Sequence, residues 1–457
     1  MRYKNFLRGL LDTITSRKRV AKLAPVVAPA PVHVVIDMEE LANQLLSGRG
    51  EASGVARAAH LLKCYEEASP DEKLAFLSAL ATNFGPDPDQ VQFAIAALQN
   101  GATADDLAAV LSAMEPRRQE LIRRLNLAPG GTEALVEMRA DVLSFLRRHP
   151  ELKPLNNDFI HLLSSWFNRG FLVLKRIDWG TPAHILEKII RYEAVHAIQS
   201  WDDLRGRTDP KDRRCFGFFH PALSEEPLIF VEVALTGDVP EQIGPLIALN
   251  RAPIDPRQAT TAVFYSISSC QKGLTGISFG NFLIKQVVEE LKEEFPNIST
   301  FVTLSPVPGF ASWLASAACE GPLTKAGVNA GQLRKYLQRP EWHLETSHRH
   351  ARQLLQGAAA VYFLDAKSSD GRPLDPVARF HLGNGARLDR VNLLADLSPN
   401  GLRQAHGLMV NYRYVLDEIE DNHEAYANKG AVIASEAVHA LLSGVRAETK
   451  YLTFSAG

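Results

Sequence analysis

The spacing of hydrophobic residues changes at Asn168-Arg169-Gly170, and that change limits the chain to an architecture in two parts. Before it, apolar residues recur at helical spacing between explicit start and stop signals. Ser69-Pro70-Asp71-Glu72 reads as a capping box with proline at the first helical position, and Leu74, Leu77, Ala81 and Phe84 form the stripe that follows. Asp87-Pro88 and Thr103-Ala104-Asp105-Asp106 open further helices, Gly131-Thr132 precedes a longer one, and a last helix runs over 159–167. No repeat length is shared, so residues 37–170 are predicted to form an irregular helical bundle rather than a solenoid. Apolar stripes on short helices predict that this part self-associates, as a dimer or tetramer.

From residue 171 the pattern becomes strand-like. The spans 171–174, 215–219, 228–235, 262–268, 301–304 and 361–365 are rich in β-branched or aromatic residues and read as strands. Helices are expected from Thr181-Pro182 and over 238–250, 276–295, 411–419 and 432–442. Strands alternating with helices make residues 171–457 a mixed α/β domain.

Composition narrows function by exclusion. Lys+Arg 50 against Asp+Glu 52 leaves a net charge of -2, so nothing points to nucleic acid, and no apolar run reaches the about 20 residues of a membrane span. Cys64, Cys215, Cys270 and Cys319 are widely spaced, which predicts free thiols in a reducing compartment, although an exposed pair would be open to oxidation. His60 and His161 have no partner at ligand spacing, so no metal is predicted. Residues 1–36 form a basic leader and a Pro/Ala/Val linker. Arg2, Lys4, Arg8, Arg17, Lys18, Arg19 and Lys22 face the single acid Asp12 in a segment with an apolar helical stripe. It reads as a leader helix on a cytoplasmic protein, or as a serine-poor presequence for the mitochondrial matrix.

Two stretches set chemistry beside turns. Thr303-Leu304-Ser305-Pro306-Val307-Pro308-Gly309-Phe310 ends an apolar run in a hydroxyl, and Arg379-Phe380-His381-Leu382-Gly383-Asn384-Gly385-Ala386 places an imidazole before a Gly-Asn-Gly turn. Either one alone is equally well a turn serine or a surface histidine. A third stretch joins them: a strand over 262–270, then Gln271-Lys272-Gly273-Leu274-Thr275-Gly276-Ile277-Ser278-Phe279-Gly280-Asn281, then an amphipathic helix. Its glycines follow neither the Walker nor the dinucleotide spacing. They suit either the approach of backbone N–H groups to a pyrophosphate, such as that of coenzyme A, or close helix packing.

With these residues assembled, the chain resembles the malonyl-CoA decarboxylases. Four blocks carry the resemblance: Gln271 to Gly276 with Phe282-Leu283-Ile284-Lys285, Leu304 to Phe310, Phe380 to Ala386, and Met409-Val410-Asn411-Tyr412-Arg413-Tyr414. It implies a helical oligomerisation domain over 37–170 and a catalytic domain of the GNAT acetyltransferase type over 171–457. It also implies conversion of malonyl-CoA to acetyl-CoA and carbon dioxide, with Ser305 and His381 as the catalytic pair. The acyl-CoA loop falls on Thr275, Gly276, Ile277, Ser278, Phe279, Gly280 and Asn281. The chain ends Phe454-Ser455-Ala456-Gly457, and Tyr192 stands where some members have cysteine. Neither the peroxisomal signal nor the regulatory disulfide of those members is therefore implied.

Loss of carbon dioxide from a malonyl thioester sends an electron pair through Cα onto the thioester oxygen. The thioester is its own electron sink, so no cofactor is expected. Donors must meet the oxyanion and an acid must protonate Cα. His381, with an ordinary pKa near ~6.5, suits proton delivery, and Ser305 suits hydrogen bonding to the carboxylate or the enolate. No carboxylate that would orient His381 is identifiable, and Asp389 and Asp396 are candidates only by chain proximity. His220 is a pocket residue or a strand-end histidine. Asn384 orients His381 or donates to substrate, and Tyr412 and Arg413 close the pocket or belong to the core. An acyl-CoA N-acyltransferase of GNAT type and a silent acyl-CoA-binding scaffold are the competing functions.

Overall fold

The helices begin where the sequence punctuates them. Ser69 N–H donates to the Glu72 carboxylate at 2.8 Å and Glu72 N–H donates to Ser69 Oγ at 3.3 Å, closing the box that starts Pro70–Asn83. Thr103 and Asp106 do the same for Ala104–Ala113. Met38–Ser47, Glu51–Glu67, Pro88–Gln99, Arg117–Asn126, Gly131–Phe145 and Lys153–Trp166 complete the helical half. This computed structural model describes residues 37–48, 50–99, 103–277, 279, 283–339, 342–344 and 349–442. The leader and linker at 1–36, and with them both readings of compartment, lie outside the described residues.

One eight-stranded sheet follows. β1 (Val173–Ile177), β2 (Arg213–His220), β3 (Leu223–Thr236) and β4 (Thr261–Ser269) are antiparallel neighbours in chain order. β5 (Thr300–Thr303) joins β4 in parallel. β8 (Met409–Tyr414) then pairs antiparallel with β5, with the two-residue β6 (Ser305–Pro306) and with β7 (Arg387–Asn392). One face of the sheet, with Phe216, Phe218, Val231 and Phe264, shares a continuous apolar core with Val136 and Phe159 of the helical half. The other face, with Cys215 and Phe230, packs on the helices Ala183–Tyr192 and Trp201–Thr208. The chain is thus a helical bundle fused to a mixed α/β sheet.

Three expectations are corrected. The span 361–365, expected as a strand, ends the helix Arg349–Leu364. Its β-branched and aromatic residues resemble a strand in a short window, but Leu355, Ala358, Ala359 and Tyr362 keep the helical spacing and are buried. The span 411–419, expected as a helix, is the end of β8 followed by the short turn Leu416–Glu418. In β8 Val410, Tyr412 and Tyr414 alternate with Asn411 and Arg413, but the alternation is only five residues long before the helical turns that follow. Of 238–250 only Gly244–Ile247 is helical.

Candidate active site

β4 and β5 pair only from Thr261↔Thr300 to Phe264↔Thr303, and Leu304 N–H to the Phe264 carbonyl at 2.9 Å is the last rung. Beyond it β4 runs on to Ser269, while the other strand breaks, re-pairs with β8 as β6 and turns at Pro306. β4 is irregular at the same level. Val233 faces Phe264 and Glu232 faces Ser266, which leaves Tyr265 as an extra residue without a partner on β3. The gap between the parted strands holds a cavity of about 240 Å³. Val195, Ile267, Val377 and Phe380 make its wall largely apolar, and Ser305 and His381 face into it.

These two side chains come from different elements. Ser305 forms β6, opposite Val410 of β8. His381 lies on the helix Pro376–Gly383, whose start is capped by Asp375: its Oδ1 accepts from Val377 N–H at 3.0 Å and Ala378 N–H at 2.9 Å. Ser305 Oγ and His381 Nε2 meet at 3.1 Å. The Ser305 hydroxyl donates to Thr303 Oγ1 at 2.8 Å, so its oxygen meets Nε2 as an acceptor. Nε2 then carries the ring hydrogen, and Nδ1 accepts from the Tyr414 hydroxyl at 2.9 Å. Tyr412 stacks on the imidazole, with ring centroids 4.6 Å apart and planes at 25°. Burial pushes the His381 pKa down to about 3, so the ring is neutral throughout the physiological range. Burial likewise raises Tyr414, which keeps its proton. The Asp375 carboxyl, also buried, is pushed up to about 6.

Asp389 and Asp396 do not orient His381. Asp389 pairs with Arg387 at 3.1 Å, and Asp396 accepts from Ser398 N–H at 2.9 Å. Tyr414 takes the orienting role, and Thr303 anchors the serine. The expected helix over 411–419 conceals Tyr414; as a strand, the segment's period of two puts Tyr412 and Tyr414 on one face. Arg413 therefore alternates to the opposite face. Asn384 donates from Nδ2 to the Phe380 carbonyl at 2.8 Å and closes the helix end behind the histidine. His220 is elsewhere: its Nε2 bonds the Trp166 carbonyl at 3.0 Å and its ring packs on Phe167, at the junction with the helical half.

In the glycine loop, Thr275 and Gly276 are exposed, Ile277 and Phe279 are buried, and Ser278, Gly280 and Asn281 lie outside the described residues. Gly273 answers to packing. A Cβ there would stand 1.8 Å from the carbonyl oxygen of Val136 on Gly131–Phe145. The N–H groups of Leu274, Thr275 and Ile277 are spent on local carbonyls, at 3.0, 3.1 and 3.0 Å.

Fold and site together define a mixed α/β enzyme, with a Ser–His pair at the parting of its central strands and a helical half fused in front. Comparison with known proteins then narrows the class. A family model described as the malonyl-CoA decarboxylase C-terminal domain matches residues 170–452, and the corresponding N-terminal domain model matches 84–167. Mitochondrial malonyl-CoA decarboxylase of Anser anser anser is 34% identical over 432 residues, 86% of this chain and 84% of the relative. The crystal structure of malonyl-CoA decarboxylase from Rhodopseudomonas palustris aligns with a TM-score of 0.83 at 59% identity, covering 88% of this chain and 98% of that one. The enzyme from Agrobacterium vitis aligns with a TM-score of 0.83 at 52% identity, covering 89% and 99%. The chain belongs to the malonyl-CoA decarboxylase family, and it is a carboxy-lyase. No helix among the described residues is long and apolar enough to cross a membrane.

Proposed function

We propose that this chain converts malonyl-CoA to acetyl-CoA and carbon dioxide through a thioester enolate formed in the cavity between β4 and β6. The bond between Cα and the carboxylate carbon breaks, its electron pair moves through Cα onto the thioester oxygen, and one proton taken ultimately from solvent is added at Cα. The observation that carries this reading is the 3.1 Å contact of Ser305 with a neutral His381 in an apolar cavity. An apolar wall strips water from the substrate carboxylate and favours its departure as neutral carbon dioxide. On substrate binding the Ser305 hydroxyl turns from Thr303 to donate to the carboxylate or the enolate oxygen. The His381 Nε2–H delivers the proton to Cα while Nδ1 takes that of Tyr414; a solvent proton then reloads Nε2 and Nδ1 returns its proton to the Tyr414 phenolate. A nucleophilic serine is disfavoured, because His381 Nε2 already carries the ring hydrogen and cannot take the serine proton.

Self-association belongs to the same reading. Pro88–Gln99 buries only Ala94 and Ala104–Ala113 buries no residue, which leaves Phe93 79% and Leu111 72% exposed on one helical hairpin. A second copy covering this face would make the helical half an oligomerisation domain.

Incubation with malonyl-CoA and no acceptor amine tests the reaction. Acetyl-CoA and carbon dioxide are expected in equal amounts, with one deuterium in the acetyl methyl when turnover runs in heavy water. Absence of both products overturns the assignment and favours an acyltransferase or a binding protein.

A further inference from the structure

One buried side chain of the helical half reaches the glycine loop. Arg139 lies on Gly131–Phe145 and is 1% exposed. Its Nη1 donates to the Gly273 carbonyl at 2.5 Å, its Nη2 to the Thr275 carbonyl at 2.9 Å, and its Nε to Asn156 Oδ1 at 3.3 Å. All three acceptors are neutral. No carboxylate pairs with this guanidinium among the described residues, and burial pushes its pKa down. At the start of the loop, Gln271 Nε2 is held by Glu226 Oε2 at 3.2 Å.

We infer that Arg139 is a positioning residue for substrate binding: through it the helical half sets the conformation in which residues 275–277 meet the CoA moiety. The inference rests on the reading of 275–281 as the acyl-CoA loop. A guanidinium fork fixes two carbonyls two residues apart more rigidly than a single hydrogen bond can, because its donors are coplanar. The Gly273 backbone, pressed against Val136, fixes the depth at which the loop docks. A buried cation balanced only by carbonyl dipoles also leaves positive potential at the loop, which suits the phosphates of a CoA ester. The helical half is then part of the substrate site and not solely a platform for association.

The test uses the full chain carrying Arg139→Met or Arg139→Lys. Arg139→Met is expected to raise KM for malonyl-CoA about tenfold with kcat within about twofold of wild type, the pattern of lost uniform binding. Calorimetric affinity for CoA should weaken by the same factor, and Arg139→Lys should fall between. With malonyl-pantetheine, which lacks the nucleotide, the difference between variant and wild type should shrink. Amide exchange at Leu274, Thr275 and Ile277 should accelerate in the variant. Gly276→Val separates the two layers of the argument, since φ there is +78° and a β-branched residue strains the loop directly. If Gly276→Val raises KM and a folded Arg139→Met does not, the positioning role is overturned while the loop reading stands. If neither changes KM, both fall. Should Arg139→Met fail to fold, Arg139→Lys, which keeps the charge, decides by the same KM ratio.

Discussion

The hydroxyl of Tyr414 stands 2.9 Å from His381 Nδ1, at the position a carboxylate occupies in a serine hydrolase triad. A neutral phenol holds the ring in one tautomer without stabilising an imidazolium, which agrees with a histidine whose pKa burial lowers to about 3. Removing the hydroxyl frees the tautomer and the ring orientation. Tyr414→Phe is expected to lower kcat by about 10- to 100-fold with KM little changed, measured by carbon dioxide release. An unchanged kcat would mean that the Tyr412 stack alone positions the ring.

In the proposed reaction Ser305 and His381 serve the same enolate and touch each other at 3.1 Å, so their losses should not add. Ser305→Ala and His381→Asn are each expected to cost about 10²-fold or more in kcat, and the double variant about as much as the worse single. Multiplicative losses would place the two residues in independent steps.

Two buried groups set the pH dependence. His381 does not titrate near 6.5, so the kcat profile should carry no inflection that His381→Asn removes. Asp375 holds its proton to about pH 6 in the folded chain, whereas an unfolded aspartate releases it near ~3.9. Between those values the folded state binds more protons than the unfolded one, so this group makes stability fall as pH rises from about 4 to about 6. Urea denaturation at several pH values should give a shallower decline over that window for Asp375→Asn than for wild type. Equal slopes would show that the carboxyl ionises freely in the folded state.

Gly273 has no room for a side chain. Gly273→Ala drives a methyl group into the Val136 carbonyl, and overpacking of this kind costs about 1–3 kcal/mol. A lowered Tm together with a raised KM is expected, because the displaced segment is the glycine loop itself. A Tm equal to wild type would mean that Gly131–Phe145 yields easily.

The hairpin of Pro88–Gln99 and Ala104–Ala113 should fall away from its partner when charged. Phe93→Asp with Leu111→Asp is expected to reduce the mass seen by light scattering to that of a smaller assembly. A monomeric wild type at micromolar concentration would remove the oligomer from the proposal.

Much of this protein was legible in the residues. Capping boxes at Ser69 and Thr103 mark helix starts because the side chains that satisfy the first N–H groups are local in sequence. The strands β2 to β5 were read from their apolar runs, and the turns after Ser305 and around His381 marked the two side chains that meet at the cavity. What misled was equally local. The tail of Arg349–Leu364 resembles a strand in a five-residue window, and the alternation of β8 lasts only from Val410 to Tyr414 before helical turns follow.

By itself, then, the sequence determined the capped helix starts, the strands β2 to β5, where the glycine loop lies, and which family the chain resembles. The tertiary structure alone decided what those residues touch. The partner of His381 is Tyr414, 33 positions away, Ser305 is anchored by Thr303, and the glycine loop is held by Arg139 from a helix 134 positions earlier. Such contacts form only when β4 and β5 part and the helical half docks on the sheet. Hydrophobic spacing records which face of an element is buried, but carries no information on which distant side chain meets it there.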